Sequence, residues 1–129
     1  MKKPNKIIYK NQKKIHDRVV KFINSKLTKD VKEAYLIGSI TKGEFGKYTK
    51  KYEGREGSDI DLVVMPEDKI PSDWKYLNTE KIWWKLYQAG HIEINGIQHR
   101  LDIMVVKEGK EDYLEKRAKE LNWKVEKIK

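Results

Sequence analysis

The stretch HIEINGIQHRLDIMVV, residues 91–106, alternates apolar and polar side chains on both sides of Asn95-Gly96. Asn-Gly accepts the positive φ that a two-residue hairpin turn demands, so this is the clearest strand-pairing signal in the chain. In the second arm Ile97, His99, Leu101, Ile103 and Val105 share one face. Gln98, Arg100, Asp102 and Met104 share the other. His99 therefore reads as a core histidine, and Asp102 as a lone acid between Leu101 and Ile103. Arg100 lies on the acid face, where it either pairs with Asp102 or contacts phosphate.

A second acidic strand lies upstream, in GSDIDLVV, residues 57–64. Asp59 and Asp61 leave one face of it, while Ile60, Leu62 and Val64 point to the core. Two carboxylates about 6.7 Å apart along a strand repel by roughly 2.5 kcal/mol at an effective dielectric near 20. Taken alone, such a pair reads as solvent-facing acids. If the Asp102 strand lies alongside, three carboxylates gather on one patch. Oxygen-only ligands favour Mg²⁺ or Mn²⁺ over zinc, and two ions about 4 Å apart would clamp the oxygens of a phosphoryl displacement.

The stretch YLIGSITKG, residues 35–43, offers the counterpart. A strand ending in Gly-Ser before a short helix aims backbone N–H groups at an anion. Gly38 allows close approach, the Ser39 hydroxyl can bond a phosphate oxygen, and Lys42 can neutralise the same group. Ser58, just before the first acid, is assigned with them to the nucleotide.

Elsewhere, apolar residues at steps of three and four from Asn11 to Leu27 predict an amphipathic helix with Asn11 as N-cap. Residues 1–10 read as a basic lead-in and 46–57 as a mobile basic loop. A helix is predicted through TEKIWWKLYQ, residues 79–88, on the spacing of Ile82, Trp83 and Leu86. Trp83-Trp84 reads as core plus rim rather than a base-stacking platform. A last helix spans about 110–121, and WKVEKI, residues 123–128, either adds an edge strand or frays. The expected architecture is α+β, a small mixed sheet with helices packed on one face, in a single domain over 1–129.

Charge is concentrated at the start. The whole chain carries +9, and residues 1–30 hold ten basic side chains against Asp17 and Asp30, leaving +8. That third suits a phosphate-bearing or acidic partner, with RNA reachable through basic residues 2–29, although no aromatic interleaving accompanies those lysines. A solvated lysine face is the plainer reading. The absence of cysteine excludes disulfides, a thiol nucleophile and a cysteine zinc site. No apolar run approaches the roughly 18 residues of a membrane span, so a cytoplasmic protein without membrane contact is expected.

The combination GSITKG, GSDIDLVV, HRLDIMVV resembles the nucleotidyltransferase superfamily that includes polymerase β, the tRNA CCA-adding enzymes and the antibiotic nucleotidyltransferases. It is most similar to the minimal nucleotidyltransferases. Gly38, Ser39, Asp59, Asp61 and Asp102 match the family pattern, and the likeness covers roughly residues 11–106. A lone Gly-Ser is a weak signal and a lone Asp-x-Asp a moderate one; all three pieces in order are specific. The resemblance implies a polymerase β-like core and two Mg²⁺ or Mn²⁺ ions held by Asp59, Asp61 and Asp102. It also implies transfer of NMP, with ATP as the donor giving AMP, to an acceptor hydroxyl on a protein, RNA or small molecule. A HEPN-type protein or a second copy of the chain is the implied partner. The chain departs from the pattern in the nineteen residues between Ser39 and Asp59, longer than usual in the family. The extra loop either grips substrate or is a surface insertion. The competing reading is a non-catalytic RNA- or protein-binding module with a relic nucleotide site, against which three intact acids argue.

Overall fold

A computed structural model describes residues 3–129. In chain order the elements are β1 (Lys6–Ile8), α1 (Gln12–Lys26), β2 (Val31–Ile37), a single 3₁₀ turn (Ser39–Lys42), β3 (Gly46–Tyr52) and β4 (Arg55–Gly57). They continue with β5 (Ile60–Pro66), β6 (Lys75–Glu80), β7 (Trp84–Ile94), β8 (Ile97–Val106), α2 (Tyr113–Leu121) and β9 (Glu126–Lys127). Six strands form one sheet in the order β6-β7-β8-β5-β2-β9, and three form a second in the order β1-β3-β4. Among the described residues only the β5–β8 pair is parallel, which makes the large sheet mixed.

Strand alternation sets the two sides of the large sheet. Leu36, Leu62, Leu101 and Ile103 pack with Ile15, Val19 and Ile23 of α1. Ile37, Val63 and Val106, at the alternate positions of the same strands, pack with Leu114 of α2. The two helices therefore lie on opposite faces, which corrects the expectation that helices cover one face. The sheet's second face carries enough apolar side chains to need its own cover. Asn11 precedes α1 but adopts a left-handed conformation (φ 60°, ψ 44°) and makes no side-chain cap. Gln12 anchors that end instead. Its amide donates to the carbonyls of Tyr9 (2.6 Å) and Phe45 (2.8 Å) and accepts from the Phe45 N–H (3.0 Å).

Two further expectations fail. Residues 79–88 form no helix; β6 ends at Glu80, and β7 begins at Trp84 and pairs along the length of β8. Trp, Tyr and Ile suit a pleated strand, and the Asn95-Gly96 turn (φ 53° and 79°) extends its ladder back to the Trp84–Val106 pair. Residues 46–57 form the β3–β4 hairpin rather than a loop, and β3 takes β1 as a second partner, so part of the basic lead-in is a strand. WKVEKI supplies the edge strand β9 on β2.

The two sheets meet at His99, which is fully buried. Its Nδ1 lies 2.7 Å from the Ser58 carbonyl, which can only accept, so Nδ1 carries the proton. Nε2 of the neutral ring then accepts from the Tyr9 hydroxyl at 2.9 Å. Burial lowers the His99 pKa, consistent with that neutral form. Gly57 permits the approach, because a Cβ there would stand 2.4 Å from the Gln98 carbonyl oxygen.

Candidate active site at the β5–β8 seam

β5 and β8 run parallel in a register that pairs Asp61 directly with Asp102. Both strands turn these residues away from α1, toward the face that holds Ile37 and Met104. At the usual strand spacing of about 4.8 Å, two charges at that register repel by about 3.5 kcal/mol at an effective dielectric near 20. Asp59, two residues before Asp61, joins them from the start of the strand. All three acids are thus brought to one end of one sheet face.

The electrostatics follow from that crowding. Burial first, and then the charges of Asp59 and Asp102, push the Asp61 carboxyl up to about 7. Burial and the Asp102 charge push Asp59 up to about 6, although Arg55 and Arg100 act the other way. The arginines supply the local countercharge. Arg55 on β4 donates from Nη2 to Asp59 Oδ2 at 3.0 Å. Arg100 on β8 binds Asp102 through both oxygens, with Nε to Oδ1 at 2.5 Å and Nη2 to Oδ2 at 3.1 Å. Of the two roles open to Arg100, the fork to Asp102 is formed.

Asp59 Oδ1 is buried and accepts from no protein donor, while the Asp102 carboxylate lies within hydrogen-bonding reach of Asp59 once that group is protonated. A buried acceptor left unpaired costs about 1–3 kcal/mol, so this oxygen is suited to receive a ligand. Among the described residues no three or more His, Cys, Asp or Glu side chains are placed so that together they could hold a metal ion. The arginine contacts explain why, since two of the three carboxylates are directed at guanidinium groups. The donor set itself is all oxygen, carries up to three negative charges and includes an orphaned atom, which fits a hard divalent cation.

Opposite the acids lies the Gly38-Ser39 bend. Gly38 has φ 88° and ψ −164°, a region open essentially to glycine alone. A Cβ there would also stand 3.2 Å from Asp61 Oδ2. The following 3₁₀ segment is one turn long, so its dipole is small. What it offers an anion is the Ser39 hydroxyl, nearby backbone N–H groups and Lys42. Thr41 closes the turn by donating its hydroxyl to the Gly38 carbonyl at 2.7 Å.

Gly38, Ser39, Lys42, Asp61 and Asp102 all line one cleft of about 830 Å³ between the sheet and α2. Asp59 is not among them, and neither is Ser58. Ser58 is buried, and its hydroxyl donates to the Gly46 carbonyl at 2.7 Å, so it ties β3 to β5 rather than facing a nucleotide. Sequence reasoning missed the far wall of the cleft, where Trp84 and Leu86 of β7 give an apolar surface. Lys81, Arg117 and Lys124 add positive charge to the rim. Those residues come from three distant segments, and no local pattern announces that they meet. Trp83 is buried and stacks on Tyr113 with ring centroids 6.1 Å apart, while Trp84 stays half-buried at the cleft, matching the core-plus-rim reading.

No helix among the described residues is long and apolar enough to cross a membrane. Compared with known proteins, the chain matches no family model, no curated protein and no solved structure.

Proposed function

We propose that this protein is a metal-dependent nucleotidyltransferase with a polymerase β-like core, moving NMP from an NTP, ATP by preference, to an acceptor hydroxyl. The observation that carries the reading is the register pairing of Asp61 with Asp102 in the cleft that Gly38-Ser39 also lines, with Asp59 two residues before Asp61 and its Oδ1 buried without a protein donor. Asp59, Asp61 and Asp102 would hold Mg²⁺ or Mn²⁺, two ions per site. When bound, such ions lower the pKa of an attacking hydroxyl and neutralise charge on the transferring phosphoryl group. Ser39 and Lys42 bind the phosphates, and the Trp84–Leu86 wall gives the remainder of a nucleotide an apolar surface that excludes water. A HEPN-type protein partner, a second copy of the chain and a cytoplasmic setting belong to this same proposal.

Arg55 and Arg100 favour a second reading, a non-catalytic RNA- or protein-binding module. They already neutralise Asp59 and Asp102 without any metal. Thermal unfolding with Mg²⁺ or Mn²⁺ and ATP separates the two. The transferase reading expects metal-dependent stabilisation by ATP that Asp61→Asn or Asp102→Asn removes. ATP that stabilises no better with metal than without it selects the binding module. Incubation with each labelled NTP and cell extract then identifies the acceptor by what becomes labelled.

A further inference from the structure

The β1-β3-β4 sheet carries side chains for which phosphoryl transfer has no use. Its strands hold five cations, Lys6, Lys47, Lys50, Lys51 and Arg55, against one acid, Glu56. Tyr48 and Tyr52 sit on one side of β3 with ring centroids 5.3 Å apart and planes inclined at 66°. Both stay half-buried, so each ring keeps surface in solvent. Lys6 is the register partner of Tyr48, and Arg55 that of Tyr52, so these cations accompany the tyrosines. Lys50 lies between them along β3 and is exposed. Lys3 reaches over the Tyr48 ring, with Nζ 5.6 Å from its centroid.

This surface adjoins the acids. Arg55 bridges directly to Asp59. The Tyr48 phenol is raised first by burial and then by the Asp59 charge, with Asp61 adding a smaller effect. A purely structural account covers part of the pattern, since Lys3 and Arg55 lower the Asp61 pKa as counter-ions. It leaves Lys50 and Lys51 unexplained, and it gives no reason to keep two aromatic rings at the surface of a polar sheet.

We propose that this face is a seat for single-stranded nucleic acid, with bases stacked on Tyr48 and Tyr52 and phosphates taken by Lys3, Lys6 and Lys50. Unpaired bases present π-faces that a ring can meet, whereas a duplex hides them in its own stack. The sheet brings together the cation–aromatic interleaving that the N-terminal lysines lack in sequence, because their tyrosines are supplied some forty residues later by β3. This binding goes beyond the transferase reading and does not depend on it.

The test is fluorescence anisotropy of a labelled oligouridylate of about 12 nucleotides, at low salt and without metal or nucleotide. An oligothymidylate and a duplex of the same length serve as the other arms and sort RNA, DNA and paired strands. The full chain is expected to bind both single strands more tightly than the duplex. Tyr48→Leu and Tyr52→Leu, which keep apolar volume without a ring, should each weaken binding by about 5-fold or more. Tyr→Phe at both positions should retain it, and Gln at Lys3, Lys6 and Lys50 should flatten the salt dependence. Binding that ignores the loss of both rings overturns the proposal. So does equal competition by the duplex or by polyglutamate, the latter pointing to an acidic protein partner. Metal-dependent stabilisation by ATP, measured on the same leucine variants, reports the transferase site separately and should persist.

Discussion

Asp61→Asn is the substitution in which the site's electrostatics can be read as stability. The Asp61 carboxyl rises from the ordinary 3.8 to about 7 in the folded protein. The folded state therefore holds the proton more tightly than the unfolded chain. As far as this group is concerned, stability is greatest below pH 3.8, falls as pH rises toward about 7, and is flat above. The gap corresponds to about 4 kcal/mol, which residual exposure of Asp61 to solvent reduces to about 2. Asparagine keeps the shape and removes the charge. Near pH 8 the variant should be more stable than the parent by about 2 kcal/mol, or roughly 6–10 °C in thermal midpoint for a chain this size. Near pH 3, where both states of the parent are largely neutral, the gain should nearly vanish. Thermal and urea unfolding followed by circular dichroism at the two pH values measure this. An equal effect at both, or a loss of stability near pH 8, would refute the idea that three crowded carboxylates strain the metal-free fold.

The remaining predictions concern individual contacts. Gly38→Ala forces a Cβ into a glycine-only conformation against Asp61 Oδ2 and should cost about 1–3 kcal/mol in urea unfolding; a neutral outcome would mean that the bend relaxes freely. His99→Leu leaves the Ser58 carbonyl and the Tyr9 hydroxyl unpaired in the core and should cost about 2–5 kcal/mol, with Tyr9→Phe recovering part of it in the double variant. Arg55→Gln removes the guanidinium competing for Asp59, so calorimetric titration should find tighter Mn²⁺ binding; unchanged or weaker affinity would remove Arg55 as a competitor.

Much of the candidate site was legible because its signals are local. Period-two alternation places Asp59 and Asp61 together on one side of their strand, and Asn95-Gly96 makes the Asp102 strand a hairpin arm. The Gly38-Ser39 break follows an apolar run that can only be a strand end. The β3–β4 hairpin was hidden because Lys, Tyr and Thr alternate with no apolar face, and its turn puts Glu53 at φ 51°, where no sequence rule expects glutamate. TEKIWWKLYQ misled because three apolar residues at helical spacing also fit a strand, and the pairing partner that decides between them is β8.

By itself the sequence determined which residues alternate, where the chain must turn, and that three acids sit on or next to core strands. Tertiary structure decided that α1 and α2 take opposite faces and that Ser58 serves the sheet junction. It also decided that arginines from β4 and β8 answer the acids, and that lysines near the chain start share a surface with the tyrosines of β3. Local pattern records each residue's preference for water or core, whereas these outcomes depend on which segments, distant in the chain, are brought within a few ångströms of one another.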